Sequence, residues 1–203
     1  MRKLILMIVS CGVLSLAHAD DNALNNFLAN AKTIKADFTQ TVVTGKKSRV
    51  TTGTMEIQRP NKFRWEYIKD QQLIVSDSKN IYIYDKPLQQ VTVKSLGQSI
   101  DKSPAALLAG ANNIKSLYNI SDYKSGGDNL QWVKVEPKSS ADNNGFQTVL
   151  MGFGSDGKIA AMQFVDTFGN KTSLKFSNVQ TAVTIPASDF QFTPPKGVDV
   201  LQQ

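Results

Sequence analysis

Cysteine and histidine are almost missing from this chain: its 203 residues hold one of each, Cys11 and His18. Both fall in the first nineteen residues, so a protein that lost this segment would have neither. Disulfides, thiol nucleophiles, Ser-His-Asp triads and zinc or copper sites built on imidazole or thiolate are then excluded. Long apolar runs are equally scarce. The only one, "LILMIVSCGVLSL", follows Met1-Arg2-Lys3 and precedes Ala17-His18-Ala19. It is too short and wrongly flanked for a membrane-spanning helix. A basic start, an apolar stretch and an A-x-A site are the layout of a secretory signal peptide cleaved after Ala19. Residues 1–19 therefore read as a leader and 20–203 as a single domain, exported from the cytoplasm.

Charge of one sign is also in short supply. Loss of Arg2 and Lys3 with the leader leaves 21 basic residues against 17 acidic ones. The basic residues are scattered, with only Lys46-Lys47 adjacent, and the aromatics do not interleave with a basic stripe. No nucleic-acid partner is implied. The carboxylates offer little to an enzyme: the best pair for a hydrolase, Glu66 and Asp85, stands near opposite strand ends. No calcium loop is expected at Ser155-Asp156-Gly157, which has too few acids for an oxygen cage.

What the sequence does contain is alternation. After "DDNALNNFLANAKTI", where Leu24, Phe27, Leu28 and Ala31 recur at helical spacing behind Asp20, Asp21 and Asn22 as cap residues, the period shifts to two. Strands are expected at "ADFTQTVV", "RVTTGTMEIQ", "KFRWEYI", "QLIVSD", "NIYIYD" and "QQVTVK". A short apolar helix, Pro104 to Ala109 with Ser103 as its cap, interrupts them. Strands then resume at "KSLYNI", "LQWVKVEP", "FQTVLMGF", "GKIAAMQFVD", "KTSLKFSNV" and the tail "FQFTPPKGVDV". The linkers are of hairpin length, so the pattern predicts an antiparallel meander. Eleven or twelve such strands with two or three helices suggest an α+β fold: a strongly curved antiparallel sheet, an incomplete barrel, with its concave side plugged by the helices. Phe63, Trp65 and Tyr67 on one strand, Tyr82 and Tyr84 on another, and Leu73 and Val75 between them make its apolar face. Parity also puts Arg59 on that face, although Pro60 directly after it must end or kink the strand.

The order R-P-x-x-F-x-W (Arg59-Pro60 to Trp65), S-D-x-x-x-x-x-x-Y-D (Ser76 to Asp85) and F-x-F-x-P-P-x-G-V-D-V (Phe190 to Val200) resembles the periplasmic outer-membrane lipoprotein carrier family, LolA, over nearly the whole exported chain. The resemblance implies an incomplete, half-open antiparallel β-barrel of about eleven strands with a helical lid over an apolar cavity, and a periplasmic chaperone that is not an enzyme and uses no cofactor. It would take acylated lipoproteins from an inner-membrane lipoprotein-releasing ABC transporter and pass them to an outer-membrane lipoprotein receptor, acting as a monomer. It also implies that Arg59 sits at the cavity mouth and bonds to lid backbone. Leu107, Leu108 and Ala109 would belong to the lid, with Leu24, Phe27, Phe63, Trp65, Tyr67 and Leu73 lining the acyl-chain cavity. One departure is Ser78, where the family often has glycine.

A second reading of the N-terminus exists. Ile8-Val9-Ser10-Cys11 loosely matches a lipobox, whose acylated cysteine would make the protein a membrane-anchored receptor of similar fold. The apolar run continues past Cys11 to an acceptable A-x-A site, which favours the cleaved leader. Mass spectrometry of the exported protein is expected to find a free Asp20 N-terminus; an acylated Cys11 would overturn that assignment.

Overall fold

The computed structural model describes residues 23–96, 104–110, 114–124, 127–138, 146–166 and 168–203. The leader, Cys11, the cap residues 20–22 and the expected Ser103 cap lie outside the described residues. The chain opens with helix α1 (Ala23–Asn30) and strands β1 (Thr33–Thr44), β2 (Lys47–Gln58), β3 (Lys62–Tyr67), β4 (Gln72–Asp77), β5 (Asn80–Asp85) and β6 (Gln90–Ser95). Helices α2 (Pro104–Ala109) and α3 (Ile114–Leu117) follow. The second half comprises β7 (Tyr118–Tyr123), β8 (Gln131–Pro137), β9 (Phe146–Phe153), β10 (Ile159–Asp166), β11 (Lys171–Thr181), a 3-10 turn (Ala187–Phe190) and β12 (Asp199–Gln202).

These strands form one sheet in the order β12-β6-β5-β4-β3-β2-β1-β11-β10-β9-β8-β7. The sheet is not closed: β12 is one edge and β7 the other. It bends strongly. In the flat sheet, β2 and β9 would stand four spacings apart, roughly 19 Å. Yet Arg59, one residue past β2, has its guanidinium carbon 4.8 Å from the centre of the Phe27 ring. Phe153, at the end of β9, meets the same ring at 5.3 Å between centroids. The inner face wraps around α1.

Register decides which residues share that face, because directly opposed side chains point the same way. Trp65 is opposite Met55 and Ile74; Phe38 is opposite Gly53 and Phe176; Met162 is opposite Met151 and Leu174. The result is one continuous apolar cluster from Ile81 on β5 to Val133 and Val135 on β8, into which Leu24, Phe27, Leu107, Leu108 and Ala109 pack from the helices.

Leu73 corrects an expectation. It is opposite Glu66 and not Trp65, so it lies on the outer face with Val75, Tyr84, Val91 and Val93. Phe192 and Val198 of the C-terminal segment cover this second cluster, and Phe192 packs against Tyr82 and Tyr84 at 5.6 and 5.7 Å. The tyrosines and Leu73 therefore line an outer pocket for the tail. The inner apolar residues of β4 and β5 are Ile74, Ile81 and Ile83.

Two further expectations are revised. The segment "KSLYNI" begins as a helical turn, α3, and only from Tyr118 becomes a strand. The tail does not continue the antiparallel meander: β12 pairs with β6 in parallel, Asp199 opposite Gln90, after an extended crossing of the outer face. Ser78 adopts φ 82°, a left-handed conformation that glycine enters at least cost, which accounts for glycine at this turn in the family pattern.

Gly53 is the tightest spot in the inner face. A Cβ here would lie 2.0 Å from the Glu66 carbonyl oxygen and 2.5 Å from Cζ of Phe38. The missing side chain is what lets the Phe38 ring lie across β2 and contact Trp65 and Tyr67 at 4.8 and 5.2 Å. Gly53→Ala is expected to cost about 3 kcal/mol of stability, because backbone as well as a ring must move. Urea unfolding checks this, and an unchanged midpoint would contradict the packing described.

Candidate functional site around Arg59

Between β2 and β3 the chain turns through Arg59, Pro60 and Asn61, with a cis peptide before Pro60. The side chain of Arg59 lies inward against the helices. Its Nε donates to the Leu108 carbonyl at 2.9 Å, and Nη1 donates to the carbonyl of Ala31. The backbone of the turn reinforces both contacts: Arg59 N–H donates to Lys32 O at 2.9 Å, and Asn61 N–H to Ala109 O at 2.7 Å. Ser76, itself fully buried, donates its hydroxyl to Asn61 O at 2.7 Å and holds the turn to β4.

The chemistry follows from helix ends. The last carbonyls of a helix lack intrahelical partners and carry partial negative charge, so a cation or donor is favoured there. Neither α1 nor α2 has a basic residue in its last turn. Leu108 is the penultimate residue of α2, and Ala31 immediately follows α1, so Arg59 supplies the missing cation to both. Hydrogen bonds from a charged donor each contribute about 1.5–3 kcal/mol net. The Phe27 ring beneath the guanidinium adds a cation–π contact. Burial pushes the Arg59 pKa down to about 10, which leaves it protonated at neutral pH. Nη2 is buried with no partner among the described residues, so the group is held firmly without being fully bonded.

Beyond Arg59 the inner face is aromatic. Phe63 and Trp65 are buried, and Tyr67 is half-buried, its hydroxyl donating to Gln40 at 3.1 Å. Burial raises the Tyr67 pKa to about 12, so the phenol stays neutral. At Tyr67 the face changes character. From there to the far end of the strands the concave side opens into a cavity of about 1020 Å³, whose lining includes Gln40, Val42, Gln72, Asp85 and Leu88. The concavity thus has an apolar half beneath the helices and a mixed polar half that opens at the opposite end.

Of the residues singled out in the sequence, Arg59, Phe63, Trp65, Tyr67, Leu24, Phe27, Leu107, Leu108 and Ala109 come together on the inner side; Leu73 does not. Sequence reasoning missed Phe38, Phe153, Phe176 and Ile74, which complete the wall. Each sits at an inner position of its strand, but only the pairing register reveals which parity is inner. Glu66 and Asp85 do not meet: Glu66 is on the outer face, 3.2 Å from Arg64 and 3.9 Å from Lys86, whereas Asp85 lines the cavity. The paired-carboxylate arrangement needed by a hydrolase is not formed. Among the described residues no group of three or more His, Cys, Asp or Glu side chains is placed to hold a metal ion.

Comparison with known proteins places this architecture. The family described as "Outer membrane lipoprotein carrier protein LolA" matches residues 29–193. The chain is similar to the outer-membrane lipoprotein carrier protein of Dechloromonas aromatica, 43% identical over 190 residues that cover 92% of this chain and 89% of the relative. It is 41% identical over 181 residues to that of Neisseria meningitidis serogroup B, covering 89% and 86%. In fold it is similar to an uncharacterized conserved protein from Thermus thermophilus, at TM-score 0.55 and 11% identity over 89% of this chain and 97% of the other. It is likewise similar to a putative outer membrane lipoprotein-sorting protein domain from Vibrio parahaemolyticus, at TM-score 0.50 and 12% identity over 83% and 94%. The extent of the family match and the identity to these carriers show that the chain belongs to the outer membrane lipoprotein carrier (LolA) family.

Proposed function

We propose that this protein is a periplasmic carrier that shields the acyl chains of lipoproteins, accepting them from an inner-membrane ABC transporter and delivering them to an outer-membrane receptor. The observation that carries the reading is the Arg59 arrangement: an apolar concave wall covered by two short helices whose ends are fastened by hydrogen bonds from one side chain. The relatives named as outer-membrane lipoprotein carriers support the role, and the basic start and A-x-A site of the chain support export.

Energetics explain why such a protein needs a donor and a lid. A buried methylene is worth about 0.8 kcal/mol, so a lipoprotein with several acyl chains is held in a membrane by far more than a small pocket can supply. Extraction falls to an ATP-driven partner; the carrier keeps the chains from water. Helices α1 and α2 act as the lid. When acyl chains enter, Leu24, Phe27, Leu107 and Leu108 leave the wall, and Phe38, Phe63, Trp65 and Phe176 contact cargo in their place. Apolar contacts are exchanged for apolar contacts, so the balance between the two states is small and rests on the polar latch. Arg59 has only donors and no acceptor. Its bonds to the carbonyls of Ala31 and Leu108 form when the lid closes, and their formation favours release to the receptor.

Two measurements test this. Inner-membrane vesicles bearing the transporter and a labelled lipoprotein are expected to release that lipoprotein in a soluble complex with the purified protein; absence of release with active transporter sinks the reading. Arg59→Leu keeps an apolar group under the lid but removes its hydrogen bonds. It is expected to fold and to accept cargo, and to hand it on at least tenfold more slowly, since the two charge-assisted bonds no longer favour closure. Transfer at the normal rate would show that Arg59 is not the latch.

A further inference from the structure

The two ends of the strands differ in chemistry. At the end that carries the Arg59 turn, the hairpin tips are polar: Ser78-Lys79 between β4 and β5, and Ser155-Asp156 between β9 and β10. At the other end the three most exposed large apolar side chains among the described residues each occupy a different turn. Phe168 between β10 and β11 is 89% exposed, Leu88 between β5 and β6 is 68%, and Ile68 between β3 and β4 is 63%. Pairing sets these turns along one rim. Lys171 at the start of β11 lies opposite Val43 near the end of β1, Thr44 is opposite Lys47 across the next hairpin, and Gln72 is opposite Asp85.

The same rim is basic. Lys46, Lys86 and Lys171 are exposed, as are Lys47 and Lys69 at the mouth of the cavity. The acids between them are engaged within the turns. Asp166 accepts from the backbone N–H of Phe168 and Asn170 and from the Asn170 side chain, at 2.9, 2.9 and 2.7 Å, which holds its carboxyl below the usual range. Asp85 accepts from Leu88 N–H at 3.1 Å. Asp70 is paired with Arg49 at 2.7 Å, and Glu66 lies 3.9 Å from Lys86.

We propose that this rim is a docking surface for an anionic lipid bilayer, with Ile68, Leu88 and Phe168 entering the headgroup region and the lysines facing lipid phosphates. Charge complementarity selects the occupant. Single apolar side chains on separate turns, divided by lysines, have no contiguous centre of the kind that anchors a specific protein partner. They suit a fluid surface, into which each tip inserts by itself while the cations gain from the negative surface potential. Docking here brings the open, mixed half of the concavity to the membrane face. The inference goes beyond the carrier reading and does not depend on it, since it concerns the rim and not the lid.

Co-sedimentation of the purified protein with vesicles tests it. Binding is expected to phosphatidylglycerol–phosphatidylethanolamine vesicles and not to phosphatidylcholine vesicles, and to weaken as salt is raised. The double variant Ile68→Ser, Phe168→Ser, which leaves the cavity-lining Leu88 in place, is expected to lose binding with an unchanged circular dichroism spectrum. Lys46→Gln with Lys47→Gln is expected to weaken it by at least about five-fold. No binding to anionic vesicles, equal binding to neutral ones, or full binding by the Ile68→Ser, Phe168→Ser double variant would each overturn the proposal. So would lipid recovered with protein in the supernatant equally for both proteins, which would assign the lipid contact to the cavity. Lipoprotein release by the transporter is a separate readout, so the two readings fail separately.

Discussion

A single guanidinium serves the C-terminal ends of two helices, and the rest of the molecule is arranged so that it can. Both helices are short, and neither carries a cation in its own last turn. Their terminal carbonyls point at one place because β2 ends there, and Pro60 turns the chain so that Arg59 leaves the strand facing inward. The sheet must bend for this to happen. Only a bent sheet brings the end of β2 and the end of β9 to the same Phe27 ring. A charge on an apolar face, anomalous in a strand pattern, is the residue that fastens the two helices to the wall.

The wall itself is built from rings and sulfur. Phe38 lies over the Gly53 gap and touches Trp65 and Tyr67; Trp65 meets Phe176 edge-on at 6.3 Å; Met151 and Met162 are fully buried on the opposite side. Rings supply large area with little entropy to lose, and methionine adapts its shape to what lies against it. Such a surface packs well against helix side chains and equally well against hydrocarbon. The outer face of β4, β5 and β6 is covered instead by the chain's own C-terminal segment, so this half of the sheet is buried on both sides.

Much of this was legible in the residues. Most strand runs appear near the expected bounds because Gly, Asn, Asp and Pro punctuate them, but of the tail "FQFTPPKGVDV" only Asp199 and Val200 lie in a strand; α2 runs from Pro104 to Ala109 as its proline and apolar run imply. Face assignment was the weak point. Alternation says that Leu73 and Ile74 point opposite ways, but both are apolar, and only the pairing of Trp65 with Ile74 shows which one is inside. Two-sided burial removes the polar partner that normally marks the outer face. The parallel return of β12 was equally hidden, since a four-residue strand reads alike in either direction. At α3, "IKSL" directly precedes a strand, and tertiary contact overrides its ambiguous local preference. Arg59 was recognisable as misplaced, but its two acceptors are main-chain atoms, which no sequence motif displays.

The open edges at β12 and β7 have a further consequence. In a closed barrel the number of strands and their stagger fix the radius, so the bore is a constant of the molecule. Among the described residues no hydrogen-bonded seam joins first edge to last of the twelve-stranded sheet, so small changes of twist at each ladder alter its curvature without breaking one of them. Strand number and stagger therefore do not fix the width of its interior, as they would fix a barrel's bore.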